Sequence, residues 1–149
     1  MSDLRQLYQE IILDHYRSPR NHGSLDGADR EAKGHNPLCG DSVKISIDLD
    51  GDRIHDIAFE GAGCAISTAS ASLLTEAIKG KTILEAEALG QNFRDLLTGR
   101  TEPGDHELGK LEAFVGVREL PVRVKCATLA WHTLKAALED GTQTVTTES

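Results

Sequence analysis

Between Val43 and Glu60 the sequence spells out a β-hairpin. Val43, Ile45, Ile47 and Leu49 alternate with Lys44, Ser46, Asp48 and Asp50, and a period of two places the apolar set on one face of a strand. Asp50-Gly51 follows, the residue pair that best tolerates the positive φ of a two-residue turn. The return strand runs from about Arg53 to Glu60, with Ile57 and Phe59 inward, and leads straight into Gly61-Ala62-Gly63-Cys64. A hairpin carries the end of its second strand back beside the start of its first. Asn36-Pro37-Leu38-Cys39-Gly40-Asp41-Ser42 leads into that first strand, so hairpin geometry alone brings Cys39 and Asp41 next to Cys64.

Those three side chains have the chemistry of metal ligands. In an extended backbone residues i and i+2 point the same way, so the Cys39 sulfur and an Asp41 oxygen can meet one ion while Gly40 lets the main chain pass close by. A closed site needs about four ligands. Cys126, the one remaining cysteine, would by itself read as a small buried hydrophobe. Arg123 and Lys125 beside it are either the solvated edge of a helix or an electropositive patch that steadies a thiolate or meets an acidic partner. His35, four residues before Cys39, is within reach of the site, whereas His15, His22, His55 and His106 are expected at the surface. His132 lies six positions after Cys126, about 240 degrees around a helix, and faces away.

The rest of the chain reads mostly as helix. Leu4, Leu7, Tyr8, Ile11, Ile12 and Tyr16 recur at spacings of three and four between Asp3 and Tyr16, one face of a helix that Pro19 ends. Gly23 to Lys33 reads as loop, with a short strand near Ala32 to His35. Ile66 to Lys79 is a helix stopped by Gly80, with Cys64 near its anion-favouring N-terminus. Thr82 and Glu85 form a capping box that opens a short helix to Leu89, and Asn92 to Thr98 is another. A Pro-Gly loop precedes a short helix around His106 to Val115. Pro121 suits the first turn of a long final helix whose Val122, Leu129, Leu134, Ala137 and Leu138 face the core. The expected fold is α+β: a small antiparallel sheet of about three strands with five to six helices. It forms a single domain over 1–140, followed by a flexible C-terminal tail over 141–149.

Composition narrows the function. The 24 acidic residues outnumber 16 Lys and Arg, giving a net charge of -8, a field that repels phosphate backbones and anionic membranes. Nucleic acid and membrane are therefore not expected partners. The polar opening Ser2, Asp3, Arg5, Gln6 has no apolar signal region, which predicts a cytoplasmic protein. Three cysteines at irregular spacing form neither a disulfide framework nor, lacking any C-x-x-C or H-x-x-x-H, a zinc finger. A metal site in this chain has to be assembled by the fold.

Three separated motifs carry a resemblance. Asn36-Pro37-Leu38-Cys39-Gly40-Asp41, Gly61-Ala62-Gly63-Cys64-Ala65-Ile66-Ser67 and Lys125-Cys126-Ala127-Thr128-Leu129-Ala130-Trp131 occur in order and together resemble the IscU and SufU proteins of iron-sulfur cluster biogenesis. The SufU branch is the more similar. Lys125 stands where IscU scaffolds have a histidine, and a segment within about Gly99 to Glu119 looks like the insertion of SufU-like proteins. Leu120-Pro121-Val122-Arg123-Val124-Lys125 replaces the Leu-Pro-Pro-Val-Lys by which IscU scaffolds engage their chaperone. The resemblance implies zinc held by Cys39, Asp41, Cys64 and Cys126. It makes Cys39 the acceptor of persulfide sulfur and Arg123 and Lys125 auxiliary residues. It further implies a SufS-type, pyridoxal-phosphate-dependent cysteine desulfurase as donor and downstream iron-sulfur assembly proteins as recipients. The alternative it leaves is a scaffold on which a transient [2Fe-2S] cluster is assembled.

Overall fold

A computed structural model describes residues 2–37, 40–140 and 143–146. Its sheet is built on the hairpin expected from the alternation. β2 (Asp41–Asp50) and β3 (Arg53–Ala62) pair antiparallel from Asp50 opposite Arg53 to Ser42 opposite Ala62, with one irregularity at Asp48 and Leu49. β1 (Arg30–Asn36) adds to the other side of β2, antiparallel, with Asn36 opposite Asp41. It is longer than the expected strand near Ala32. Its sequence hides it, because the buried positions Ala32, Gly34 and Asn36 include no large apolar residue.

Gln143–Thr146, expected to belong to a flexible tail, forms a fourth strand, β4, parallel to β1, so the strand order is β3-β2-β1-β4. The gain there is backbone pairing along an edge that β1 would otherwise leave open. Side-chain patterning does not report it.

Among the described residues, four α-helices and one 3-10 helix accompany the sheet: α1 (Ser2–Arg17), α2 (Ala65–Ile78), α3 (Ile83–Leu97), the 3-10 helix Gly109–Glu119, and α4 (Pro121–Asp140). α2 is buried continuously from Ala69 to Thr75. Ile45, Ile47 and Ile57 of the sheet share one core with Leu74 and Ile78 of α2, Phe93 and Leu96 of α3, Phe114, and Leu129, Trp131 and Leu134 of α4. Among the described residues no helix is long and apolar enough to cross a membrane.

The expected break between two helices near Leu89 does not occur, and α3 is continuous. The capping box does form: Glu85 N–H donates to Thr82 Oγ1 at 3.1 Å, and Thr82 N–H to Glu85 Oε1 at 3.0 Å. Gly90, inside α3, is not a stop signal. It lies under the indole of Trp131.

The N-terminal helix and His15 also depart from expectation. Leu7 and Tyr16 are 50% and 45% exposed, so only part of the apolar stripe of α1 is covered, through Ile11 and Ile12. Val122, placed on the core face of the last helix by its spacing, is half exposed. His15, expected at the surface, is 1% exposed. Its Nδ1 lies 2.7 Å from Ser72 Oγ, which also accepts from the Arg20 N–H at 2.8 Å, so the ring helps to fasten α1 to α2.

Burial pushes the His15 pKa down. The Arg20 charge adds to this, and Glu76, 3.9 Å from Nε2, opposes it. A histidine with a lowered folded pKa contributes fully above its unfolded value of about 6.5 and loses that contribution as pH falls toward the folded value. Folding stability is therefore expected to drop between pH 7.5 and 5.5, with half-buried His132, also shifted down by burial, adding to the slope. Urea unfolding at the two pH values should show a shallower drop in His15→Gln. An unchanged slope would mean that His15 titrates alike in the folded and unfolded protein, so that its burial carries no such linkage.

Candidate metal centre

Asp41 opens β2 on its core-facing side, two residues before Val43, and is fully buried. A buried carboxylate needs a donor for each oxygen. Asp41 has both: Cys64 N–H donates to Oδ1 at 2.9 Å, and Asn36 Nδ2 donates to Oδ2 at 3.2 Å. The approach to Cys64 depends on glycine. A Cβ at Gly63 would lie 2.5 Å from Asp41 Oδ1 and 2.6 Å from Ser67 Oγ. Burial pushes the Asp41 pKa up, but hydrogen bonds from Cys64 N–H, the Cys126 thiol, the Asn36 amide and the Ser67 hydroxyl outweigh it. The group therefore titrates below the ordinary carboxylate range.

Cys64 takes the N-cap position of α2 in extended conformation and makes no side-chain capping bond. Ser67, in the first turn, reaches back to Cys64. Its hydroxyl donates to the Cys64 carbonyl at 3.1 Å and receives the Cys64 thiol at 3.9 Å. Cys126 is fully buried on α4, where the next residue's carbonyl accepts a 2.5 Å hydrogen bond from Ser70 Oγ of α2. That bond, inside the packed helix pair, sets the height of Cys126 relative to Cys64.

One ligand atom from each of Asp41, Cys64 and Cys126 lies within 4.8 Å of the others. Two donors bound to the same tetrahedral zinc at its usual bond lengths sit about 3.5 to 3.8 Å apart, a difference that side-chain torsions can close. Two cysteine sulfurs and a carboxylate are also a donor set that zinc favours. The residues present therefore fit that ion. Cys39, the expected fourth ligand, lies outside the described residues.

The other candidates divide. Lys125 is half-buried, and Arg123 is exposed in the first turn of α4. His35 is exposed, on the opposite face of β1 from buried Asn36, and so points away from the donor cluster. Sequence reasoning misses Asn36 and Ser67 as contributors. Both stand inside the motifs that draw attention to the cysteines, and the one available signal for Asn36 is its position opposite Asp41 in a short hairpin.

Comparison with known proteins gives one family. Residues 7–147 match the family described as the NifU-like N terminal domain. The chain is 44% identical over 142 residues to the zinc-dependent sulfurtransferase SufU of Bacillus subtilis, covering 94% of this chain and 96% of that protein. It is equally 44% identical, over 139 residues, to the iron-sulfur cluster assembly scaffold protein IscU of Streptococcus pyogenes, covering 93% of this chain and 87% of that one. A crystal structure from Fervidobacterium islandicum, of a protein described as a candidate iron-sulfur cluster assembly scaffold for the SUF system, superposes with a TM-score of 0.83. The two share 40% identity, over 90% of this chain and 98% of that one.

Proposed function

Because the chain belongs to the family of NifU-like N-terminal domains, we propose that it works in iron-sulfur cluster assembly as a zinc-dependent sulfurtransferase of the cytoplasm. The observation that carries this reading is the convergence of Asp41, Cys64 and Cys126 at the end of the hairpin. The B. subtilis relative, matched over nearly its whole length, supports it further.

In this reading Cys39, Asp41, Cys64 and Cys126 hold zinc, which when bound keeps thiolates deprotonated at neutral pH. Cys39 is the nucleophile. Its thiolate attacks the terminal sulfur of a cysteine persulfide presented by a pyridoxal-phosphate cysteine desulfurase of the SufS type. A sulfur-sulfur bond forms at Cys39, the donor's own sulfur-sulfur bond breaks, and the donor cysteine leaves as a thiolate. One sulfur atom moves with no net oxidation or reduction. Asp41, Cys64 and Cys126 keep the remaining donors together, anchored by β2, the start of α2 and α4. Exposed Arg123 offers a positive charge to the partner, and Lys125 stands next to Cys126. Downstream assembly proteins then take the sulfur.

The test measures desulfurase turnover with and without the zinc form, with mass spectrometry of Cys39. Strong stimulation with one added sulfur on Cys39 is expected, and both should vanish in Cys39→Ser. Full stimulation by Cys39→Ser would sink the assignment.

A second reading, a scaffold carrying a transient [2Fe-2S] cluster, is favoured by the equally similar S. pyogenes scaffold protein and by the cysteine-rich donor set. Absence of the persulfide, together with an anaerobically rebuilt cluster that transfers intact to an apo-protein, would decide for it.

A further inference from the structure

We propose that Asn36 is a positioning residue for this centre: its side-chain amide ties the Asp41 carboxylate to the Cys126 sulfur and so sets the spacing of donors that come from distant parts of the chain. This rests on the reading of Asp41, Cys64 and Cys126 as metal ligands. Asn36 is the last residue of β1, directly opposite Asp41, and is fully buried on the same core-facing side. Cross-strand neighbours of this kind have their Cβ atoms about 5 Å apart, close enough for an amide and a carboxylate to meet without stretching. An amide nitrogen carries two hydrogens. The structure gives both an acceptor: Asp41 Oδ2 at 3.2 Å and Cys126 Sγ, ninety residues away in sequence, at 3.5 Å.

The amide's orientation is fixed by the same surroundings. Turned over, its oxygen would face a carboxylate and forfeit both bonds. Asp41 passes the constraint on, since its other oxygen is held by the Cys64 N–H at 2.9 Å. Asn36, Asp41 and Cys64 thus form a continuous clasp from β1 through β2 to the start of α2, and the second amide hydrogen extends it to α4. A neutral donor without a removable proton suits this place, because it can serve a thiol and a thiolate alike. Groups in this outer position commonly change metal affinity by about 10- to 100-fold when removed.

The experiment compares Asn36→Leu, close in shape but without donors, with the wild type. Two readouts are taken: the zinc dissociation constant by competition with a chromophoric chelator, and the visible spectrum of the cobalt-substituted protein. Ser72→Ala, which removes a buried hydroxyl bonded to His15 and Arg20, controls for lost stability alone. Circular dichroism and cooperative unfolding establish that each variant is folded.

Asn36→Leu is expected to bind zinc about 10- to 100-fold more weakly with altered cobalt bands, while Ser72→Ala matches the wild type in both. Should Asn36→Leu not fold, Asn36→Ala takes the same measurements with the same expectations. Wild-type affinity and spectrum in the folded Asn36 variant overturn the inference. Cys126→Ala separates the two levels. If it loses zinc while Asn36→Leu keeps it, only the role of Asn36 falls; if it too keeps wild-type affinity, the metal-site reading falls as well.

Discussion

Cys126→Ala is expected to weaken zinc binding by about 100-fold while leaving most of the fold in place. The apparent binding free energy of a structural zinc site is about 10 to 16 kcal/mol. Divided over four donors that is roughly 3 kcal/mol for each, or about two orders of magnitude in affinity. The cost to the metal-free fold is smaller. Cys126 is fully buried, so losing its sulfur leaves a void and removes the acceptor of one Asn36 N–H, together about 1 to 2 kcal/mol. Chelator competition reads the first quantity and urea denaturation of the metal-free protein the second. Cys64→Ala makes a useful partner, because Cys64 is only half-buried. It should lose zinc to a similar degree with less damage to the metal-free fold. A Cys126→Ala protein that retained zinc at wild-type affinity would remove α4 from the centre altogether.

The contrast between Cys64 and Cys126 also marks where sequence reasoning can reach. Cys64 follows directly from local rules. Alternating apolar residues, Asp50-Gly51 and a return strand place it beside Asp41, and the register Ser42 opposite Ala62 realises that placement. Cys126 has no such local argument. It reaches the centre because α4 packs on α2 and on β1 and β2, a tertiary fact that no spacing in the sequence expresses. Only the three collinear motifs link it to the other cysteines.

The misread elements share a cause. β1 carries Ala32, Gly34 and Asn36 on its buried face, because α4 comes so close that a Cβ at Gly34 would strike Thr133 Oγ1 and approach Leu129. A strand that must stay small cannot show the apolar alternation by which strands are recognised. His15 reads as a surface residue because no neighbour in the sequence offers it a partner, yet Ser72, 57 positions further on in the buried stretch of α2, supplies one. His35 is a candidate only by its nearness in sequence. One step along a strand reverses a side chain, and that step gives the buried position to Asn36 instead.

Gly90→Ala shows how the same close packing turns a helix-favouring change into a damaging one. In an exposed helix interior, replacing glycine by alanine gains roughly 1 kcal/mol. At Gly90 the new Cβ would overlap three carbons of the Trp131 indole, Cε3, Cζ3 and Cδ2. Trp131 is 2% exposed and among the largest buried side chains, so the ring cannot swing into solvent to make room. Overpacking costs typically about 1 to 3 kcal/mol and sometimes more. Several overlaps against a confined ring place this case at the upper end, and the net expectation is a loss of about 2 kcal/mol. For a chain of this size that lowers the melting temperature by roughly 4 to 8 °C. Gly116, exposed in the 3-10 helix, has nothing within 4 Å of where a new methyl group would sit and no positive φ. Gly116→Ala should therefore be neutral or raise stability by up to about 1 kcal/mol. Thermal and urea unfolding of the two metal-free variants side by side checks the argument. Equal stability in both would mean that α3 and α4 can separate freely at Gly90, and α4 would then be too loosely seated to hold Cys126 at the centre.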